Sequence, residues 1–143
     1  MTEFCDSTGR TWSLTLTLGS AKNIYDKTGV DLLNPATLMT TDDNGEMDMN
    51  LSTLPRFFTD DLFVSSIIVN LLSKQAKERG VTEDEILNLF DGETFKKAHD
   101  AFMKEYRLFF AARKNQAGVQ MVEMIQQGIK KLEEESNGET SLQ

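Results

Sequence analysis

The stretch from 59 to 80, TDDLFVSSIIVNLLSKQAKERG, constrains this chain most, because its apolar residues surround a helix instead of forming one stripe. Thr59 is a candidate N-cap, and Asp60 and Asp61 place negative charge at the positive end of the helix dipole. Gly80 can close the helix. The continuous apolar part is too short, and too interrupted by polar residues, to cross a bilayer. We therefore predict a central core helix, whose packed residues are Leu62, Phe63, Val64, Ile67, Ile68, Val69, Leu71 and Leu72.

Residues 2–18 have the pattern of a β-hairpin. From Thr11 onward apolar and hydroxyl-bearing side chains alternate, as in a strand with one packed and one solvated face. Gly9 lies in the preceding turn and can take a positive φ. A two-stranded hairpin is marginal alone, so it must pack on helices, and its edge could pair with a second copy in a self-association. The residues predicted to face inward are Trp12, Leu14, Leu16 and Leu18.

Helical signals begin at residue 20. Ser20 can cap a short helix over 21–28, with Ile24 facing inward and Tyr25 as a second inward candidate. Gly29 can end that helix in the left-handed conformation. Apolar anchors then follow before a proline, and these are Val30, Leu32 and Leu33.

The segment 36–54 is compatible with a second hairpin or with a loop. Its turn signal is Asp43-Asn44-Gly45-Glu46, and the surrounding acids suggest a calcium loop. Such a loop has acids at its first and twelfth positions and a glycine at the sixth. Counting from Gly45 places Thr40 first and Leu51 twelfth, so we predict a solvated turn and no metal site.

Two helices are predicted after residue 81. Thr82 and Glu85 fit a capping box before a helix over 83–90, and Asp91 can cap the next helix. The second helix carries aromatic residues at three- and four-residue spacing, which is typical of a core face and not of a ligand pocket. His99 neighbours this stripe, where we expect it to line the helix flank and not to act as a base. The stripe consists of Phe95, Ala98, Phe102, Tyr106, Phe109 and Phe110.

A final amphipathic helix is predicted after a break at 114–118. Its apolar seam covers fewer than three heptads, too few for a coiled coil. Met121 and Met124 lie beside the seam and suit an adaptable surface. The seam either docks on the domain or is left for a partner, and its candidate partner-binding residues are Val122, Ile125, Ile129 and Leu132. The polar, acidic segment 136–143 is predicted to be a disordered tail.

Composition narrows the function further. The chain has 143 residues, which fits one α+β domain over 1–135, and its net charge of −8 argues against nucleic acid as a partner. Cys5 is the only cysteine, so no internal disulfide can form. The chain has one histidine and no phosphate loop, paired metal ligands or hydrolase motif. We expect a cytoplasmic binding or assembly protein that is not an enzyme, has no cofactor or metal, and contacts no membrane.

The first 33 residues carry a pattern that resembles a known group of proteins. It begins with F-x-D-x-x-G-R-x-W, formed by Phe4, Asp6, Gly9, Arg10 and Trp12. An alternating strand and a short helix follow, and the pattern ends with Gly29, Val30, Asp31, Leu32 and Leu33. This arrangement resembles the tail assembly chaperones of tailed phages and prophages. The helical remainder is similar in character and not by motif.

The resemblance implies a role in the assembly of a phage tail. Such a chaperone would bind the long tape measure protein in the cytoplasm of the infected bacterial host and help recruit the major tail protein around it. It fixes no interaction residue by motif. The alternatives are a structural tail or head–tail completion protein retained in the virion, and a small regulatory binding protein.

Overall fold

A computed structural model of the chain describes residues 2–38, 40–41, 43–45, 47–48 and 53–141. The fold is α+β, as predicted, with an N-terminal hairpin and a mostly helical remainder. The strands are β1 (Thr2–Cys5), β2 (Thr11–Leu14), β3 (Thr40–Thr41) and β4 (Met47–Asp48). The helices are α1 (Leu18–Thr28), α2 (Pro35–Leu38), α3 (Arg56–Thr59), α4 (Asp61–Glu78), α5 (Glu83–Leu89), α6 (Gly92–Ala112) and α7 (Gln116–Ser141). Helices α2 and α3 are single turns. The five longer helices agree with the prediction of about five helices.

The antiparallel β1–β2 hairpin is organised by Asp6. Its Oδ1 accepts hydrogen bonds from Thr8 N at 2.8 Å and Arg10 N at 3.1 Å, and its Oδ2 accepts one from Trp12 Nε1 at 2.8 Å. Gly9 has a φ of 86°, as the turn requires. Three motif residues, Asp6, Gly9 and Arg10, thus build one turn, and Asp6 fixes the indole of the fourth, Trp12.

The hairpin ends earlier than predicted. Trp12, Leu14 and Leu16 are buried, but Leu18 is 64% exposed, so its predicted inward position is wrong. The reason is the start of α1: the N-cap is Thr17 and not Ser20. Ser20 is the reciprocal partner in a capping box, with Ser20 N 3.1 Å from Thr17 Oγ1.

Helix α1 buries a narrow stripe and ends as predicted. Ala21 and Ile24 are buried, whereas Tyr25, one position further around the helix, is 54% exposed. Tyr25 therefore does not face inward. Gly29 closes the helix with a φ of 76°. Leu32 is fully buried in the following segment, and its carbonyl accepts a hydrogen bond from Tyr106 Oη at 2.5 Å.

Helix α4 is the centre of the fold, which confirms the sequence prediction. It contacts α1, α3, α5, α6 and β2. Its N-cap is Asp60, whose Oδ1 accepts from Phe63 N at 3.1 Å, and not Thr59, whose hydroxyl donates to Pro55 O. The predicted packing fails at Leu62, which lies in the first turn and is 81% exposed. The buried members are Phe63, Val64, Ile67, Ile68, Val69 and Leu72, and Leu71 is half-buried.

The segment between α2 and α3 contains a small antiparallel hairpin. Thr40 pairs with Asp48 and Thr41 with Met47, and Gly45 in the turn has a φ of 80°. Of the two interpretations of residues 36–54, the described part supports the hairpin. Asp42 and Glu46, considered for a calcium loop, lie outside the described residues.

The starts of α5 and α6 agree with the sequence. Thr82 and Glu85 form the predicted capping box, and Asp91 Oδ1 accepts from Thr94 N at 2.8 Å. Helix α7 continues to Ser141, so helix occupies much of the predicted tail 136–143, while residues 142 and 143 lie outside the described part. Among the described residues, no helix is both long and apolar enough to span a membrane.

Candidate interaction surface

Helix α7 folds back along α6, and two ion pairs show how the two helices are aligned. Arg107 Nη2 lies 3.1 Å from Glu123 Oε1, and Lys96 Nζ lies 2.7 Å from Glu133 Oε1. Position along α6 falls as position along α7 rises, so the two helices are antiparallel. This arrangement brings the predicted C-terminal seam against the rest of the protein.

The break before α7 lies where the sequence predicted it. Lys114 has a φ of 58°, a left-handed conformation that ends α6. Asn115 Oδ1 accepts a hydrogen bond from Gly118 N at 3.1 Å, as at a helix N-cap. Gly118 lies so close to the ring of Phe110 that an added Cβ would overlap it. The first turn of α7 is thereby held tightly on α6.

The four predicted partner-binding residues divide into two pairs. Val122 and Ile125 are fully buried in the core, so they are inaccessible while α7 is seated. Ile129 is half-buried against the core, and Leu132 is 41% exposed. The seam therefore docks on the domain in its first half and opens toward solvent in its second.

A glycine contact supports the second half of α7. Gly128 packs against the ring of Phe58, which lies in α3 just before α4. A Cβ added at Gly128 would stand 2.8 Å from Phe58 Cδ1. Phe58 is only half-buried. This contact is looser than that of Gly118, where an added Cβ would stand 2.3 Å from Phe110 Cδ1.

The open end of the seam borders a surface depression, which we call the α6–α7 groove. It consists of two adjoining pockets of about 260 and 220 Å³. The pockets share Lys96, Asp100, Ile129 and Glu133. The apolar lining is Phe58, Phe95, Met103, Ile129 and Leu132, and the charged lining is Asp61, Lys96, Asp100, Lys130 and Glu133.

Lys96 lies at the centre of the charged lining. Its ammonium contacts Glu133 at 2.7 Å and Asp100 at 3.2 Å. The hydrogen bond to Glu133, with the nearby charge of Asp100, raises the pKa of Lys96 above its usual value. Because all three side chains are about half exposed, the pairs are worth little energy and can exchange partners readily.

His99 lines the groove, but its side chain has a structural role. It is buried, and its Nε2 lies 2.8 Å from Phe57 O. Burial lowers the pKa of His99 below its ordinary value, although the Phe57 carbonyl and the charges of Asp100 and Asp61 act in the opposite direction. A neutral imidazole bound to a backbone carbonyl connects α6 to α3.

The other reactive side chains of the described residues do not come together at one site. Cys5 is exposed, and its Sγ lies 3.4 Å from the hydroxyl of Thr11. Glu105 is buried, and its carboxylate accepts from Thr2 Oγ1 at 3.1 Å and Leu16 N at 3.0 Å, which ties both ends of the hairpin to α6. Within the described ranges, no three histidine, cysteine or acidic side chains lie close enough to hold a metal.

Sequence reasoning missed part of the groove. Nothing in the local sequence indicates that Phe58 lines a groove, beyond its place before α4. The same holds for Lys96, because its partner Glu133 is distant in the sequence. The one available signal is Gly128, since a glycine inside a helical pattern often marks a close approach. Its partner could not be known before α7 was placed.

Comparisons with known proteins identify no relative of this chain. No protein family, curated protein or solved structure shows a detectable match to this chain.

Proposed function

We propose that this protein is an assembly chaperone of the type encoded with tailed-phage tails, which acts in the cytoplasm of the infected bacterium. It binds an amphipathic helix of the tape measure protein at the α6–α7 groove. It keeps that partner soluble and helps recruit the major tail protein. The proposal is of a binding role, because the only histidine is bound to Phe57 O and the only cysteine is exposed with its Sγ 3.4 Å from the hydroxyl of Thr11.

The observation that carries the proposal is the change along α7 from a buried to an open seam. Val122 and Ile125 anchor the helix, while Ile129 and Leu132 lie next to Phe58 and Phe95 in the groove. An amphipathic helix recognises its partner by apolar residues three or four positions apart. The half-open seam and the aromatic rings beside it offer apolar surface of that kind, with charged side chains around it.

The N-terminal motif gives a second line of support. Asp6, Gly9 and Trp12 build the hairpin turn, and the guanidinium of Arg10 lies 5.8 Å from the centre of the Trp12 ring. Phe4, in β1 opposite Trp12, is buried. The residues of the first part of the motif are thus those on which this hairpin depends. This supports a shared fold for the region, and the partner assignment rests on the resemblance.

The test is co-expression with the longest helical protein encoded in the same gene neighbourhood, followed by pull-down and light scattering. We expect a soluble complex, with the partner aggregating when it is expressed alone. Ile129→Asp with Leu132→Asp should abolish the complex and leave the chain folded by circular dichroism. The matched control, Gln120→Asp with Gln127→Asp, adds the same charge to exposed positions of α7 and should bind normally.

Other results would point to the other classes. Stable incorporation of the chain into finished particles would contradict the chaperone role and indicate a structural tail or completion protein. A defined complex with a globular protein from outside the tail genes, and none with the helical one, would indicate a regulatory protein. Equal loss of binding in the control variant would show that charge, and not the seam, determines the effect.

A further inference from the structure

The part of α7 that borders the α6–α7 groove is much less buried than the part that anchors the helix. We call the part after Gly128, residues 129–141, the α7 strap. From 126 to 136 no residue is buried: Ile129 is half-buried, and every residue from 131 to 136 is exposed. Opening the strap therefore removes little apolar surface from the core. The first half of α7 is held by four buried residues, Val119, Met121, Val122 and Ile125.

The sequence of α7 weakens the helix at both ends of the strap. Gly128 lies in the helix interior, where glycine is less favourable than alanine because it loses more backbone freedom. The last turn of α7 has no basic residue to balance the negative end of the helix dipole. A segment as short as the strap lies near the limit of roughly 12–15 residues below which an isolated helix is marginal in water. The strap therefore depends on its contacts with the rest of the chain.

Among the described side chains, two kinds of contact hold the strap closed. Lys96 Nζ lies 2.7 Å from Glu133 Oε1, but both side chains are about half exposed, so solvent weakens the pair. The second contact is apolar and lies in the pocket of about 220 Å³, where two strap residues meet two half-buried rings. The residues of this contact are Ile129, Leu132, Phe58 and Phe95.

The closed groove leaves no room for a third helix between α6 and the strap. Axes of packed helices lie about 8–10 Å apart, so an inserted helix would have to separate α6 from the strap. In the closed form the Lys96–Glu133 pair joins these two elements directly. A helix lying on top of the groove could not contact Met103, which lines the groove but is buried. Full use of the apolar lining therefore requires the strap to move.

We propose that the α7 strap opens at Gly128, admits the partner helix to the α6–α7 groove and closes over it. This inference rests on the proposed function, which supplies the partner helix. In the complex Ile129 and Leu132 contact one side of that helix, and Phe58 and Phe95 contact the other. The partner shifts the strap toward the open form because only that form gives it the whole apolar lining.

The first test is amide hydrogen exchange of the full chain without a partner, followed by mass spectrometry. After correction for intrinsic rates, the strap should exchange at least about 100-fold faster than 119–125, which opens only with the core. Glu133→Lys repels Lys96 and should speed strap exchange about three-fold, the effect of one exposed ion pair. Glu134→Lys makes the same change at the next exposed position and should have no effect. The swap of Lys96→Glu with Glu133→Lys should restore the parent rate.

Two results in the free chain would overturn the opening of the strap. One is equal protection of the strap and of 119–125, and the other is an equal effect of Glu133→Lys and Glu134→Lys.

The second test repeats the exchange measurement on the complex with the co-expressed helical protein. We expect strap amides to exchange at least about ten-fold more slowly than in the free chain, because the strap has closed on the partner. A stable complex without this protection would overturn the inference and leave the proposed function standing. Failure to form any complex would overturn the proposed function and the closing step together, while the free-chain experiment still decides whether the strap opens.

Discussion

At the scale of single residues, Asp6 is the clearest example of one side chain that determines a local structure. Besides two backbone amides, its carboxylate accepts the hydroxyl of Thr8 at 2.6 Å and the indole of Trp12 at 2.8 Å. Burial alone would raise the pKa of Asp6, but these hydrogen bonds outweigh it and hold the pKa below its usual value. The folded hairpin therefore favours the ionised form.

Asp6→Asn tests this dependence. In either orientation of the asparagine amide, its NH₂ group faces a hydrogen-bond donor and cannot accept. We therefore expect a loss of about 1–3 kcal/mol of unfolding free energy. Urea unfolding followed by the fluorescence of Trp12, the only tryptophan, measures it. Asp26→Asn removes only the exposed pair with Lys22 and should change stability by about 0.5 kcal/mol or less. Equal losses in the two variants would contradict the role given to Asp6.

At the scale of elements, α7 is a helix of two unequal halves. Its first half is held by buried residues and by the close approach of Gly118 to Phe110. Its second half is held by the approach of Gly128 to a half-buried ring and by the exposed Lys96–Glu133 pair. The difference in burial predicts that substitutions along one continuous helix will have very different costs.

The two glycines give a matched comparison. Gly118→Ala forces the buried Phe110 ring to move and should cost about 2 kcal/mol. In Gly128→Ala the Phe58 ring can turn aside, and alanine gains about 1 kcal/mol in helix propensity, so stability should change by less than about 1 kcal/mol. Thermal or urea unfolding of both variants checks the order. A larger loss for Gly128→Ala would show that the second half of α7 is the better anchored.

The seam residues give a steeper contrast. Ile125→Asp places a carboxylate in the core and should cost about 4 kcal/mol or more, enough to unfold a marginal domain. Leu132→Asp changes a residue that is already 41% exposed, and its effect on stability should stay within about 0.5 kcal/mol. Circular dichroism with urea unfolding separates the two. Similar stability of the two variants would mean that Ile125 is not a core residue.

At the scale of the whole molecule, sequence predicted the periodic elements and failed where two elements meet. The hairpin, α4, the caps of α5 and α6, and the break before α7 all follow from local patterns. The alternation that placed Leu18 inward carries no information on where Thr17 turns the chain into a helix. Likewise, hydrophobicity alone cannot show that Leu62 lies on the one open side of α4.

Contacts between distant elements were beyond the sequence for a related reason. Gln75 meets Ser13, and Lys96 meets Glu133, across long separations in the chain, and neither contact leaves a local signal. The seam could be found by its spacing, but its division at Ile125 depends on where α3 ends and where Phe58 lies. Local chemistry thus predicts elements, and packing decides which of their faces remain accessible.

Stability as a function of pH depends on groups from several elements. The pKa of His99 is lowered by burial from an ordinary value of 6.5, so the unfolded chain takes up its proton first as pH falls below 6.5. The pKa values of Asp6, Asp60 and Asp91 are also lowered, and the stability that these groups contribute is present above their ordinary value of 3.8. Both effects destabilise the fold in acid, over two separate ranges.

We therefore predict a two-stage loss of stability on acidification, measured by urea unfolding at pH 7.5, 5 and 3. The first stage, between pH 7.5 and 5, belongs to His99, because the folded chain takes up the imidazole proton at a lower pH than the unfolded chain does. His99→Gln retains a donor toward Phe57 O but does not titrate, so it should flatten the first stage and leave the second, where the native carboxylates take up protons. A parent protein equally stable at pH 7.5 and 5, or a variant that keeps the whole first decrease, would show that His99 is not held neutral by its contact between α6 and α3.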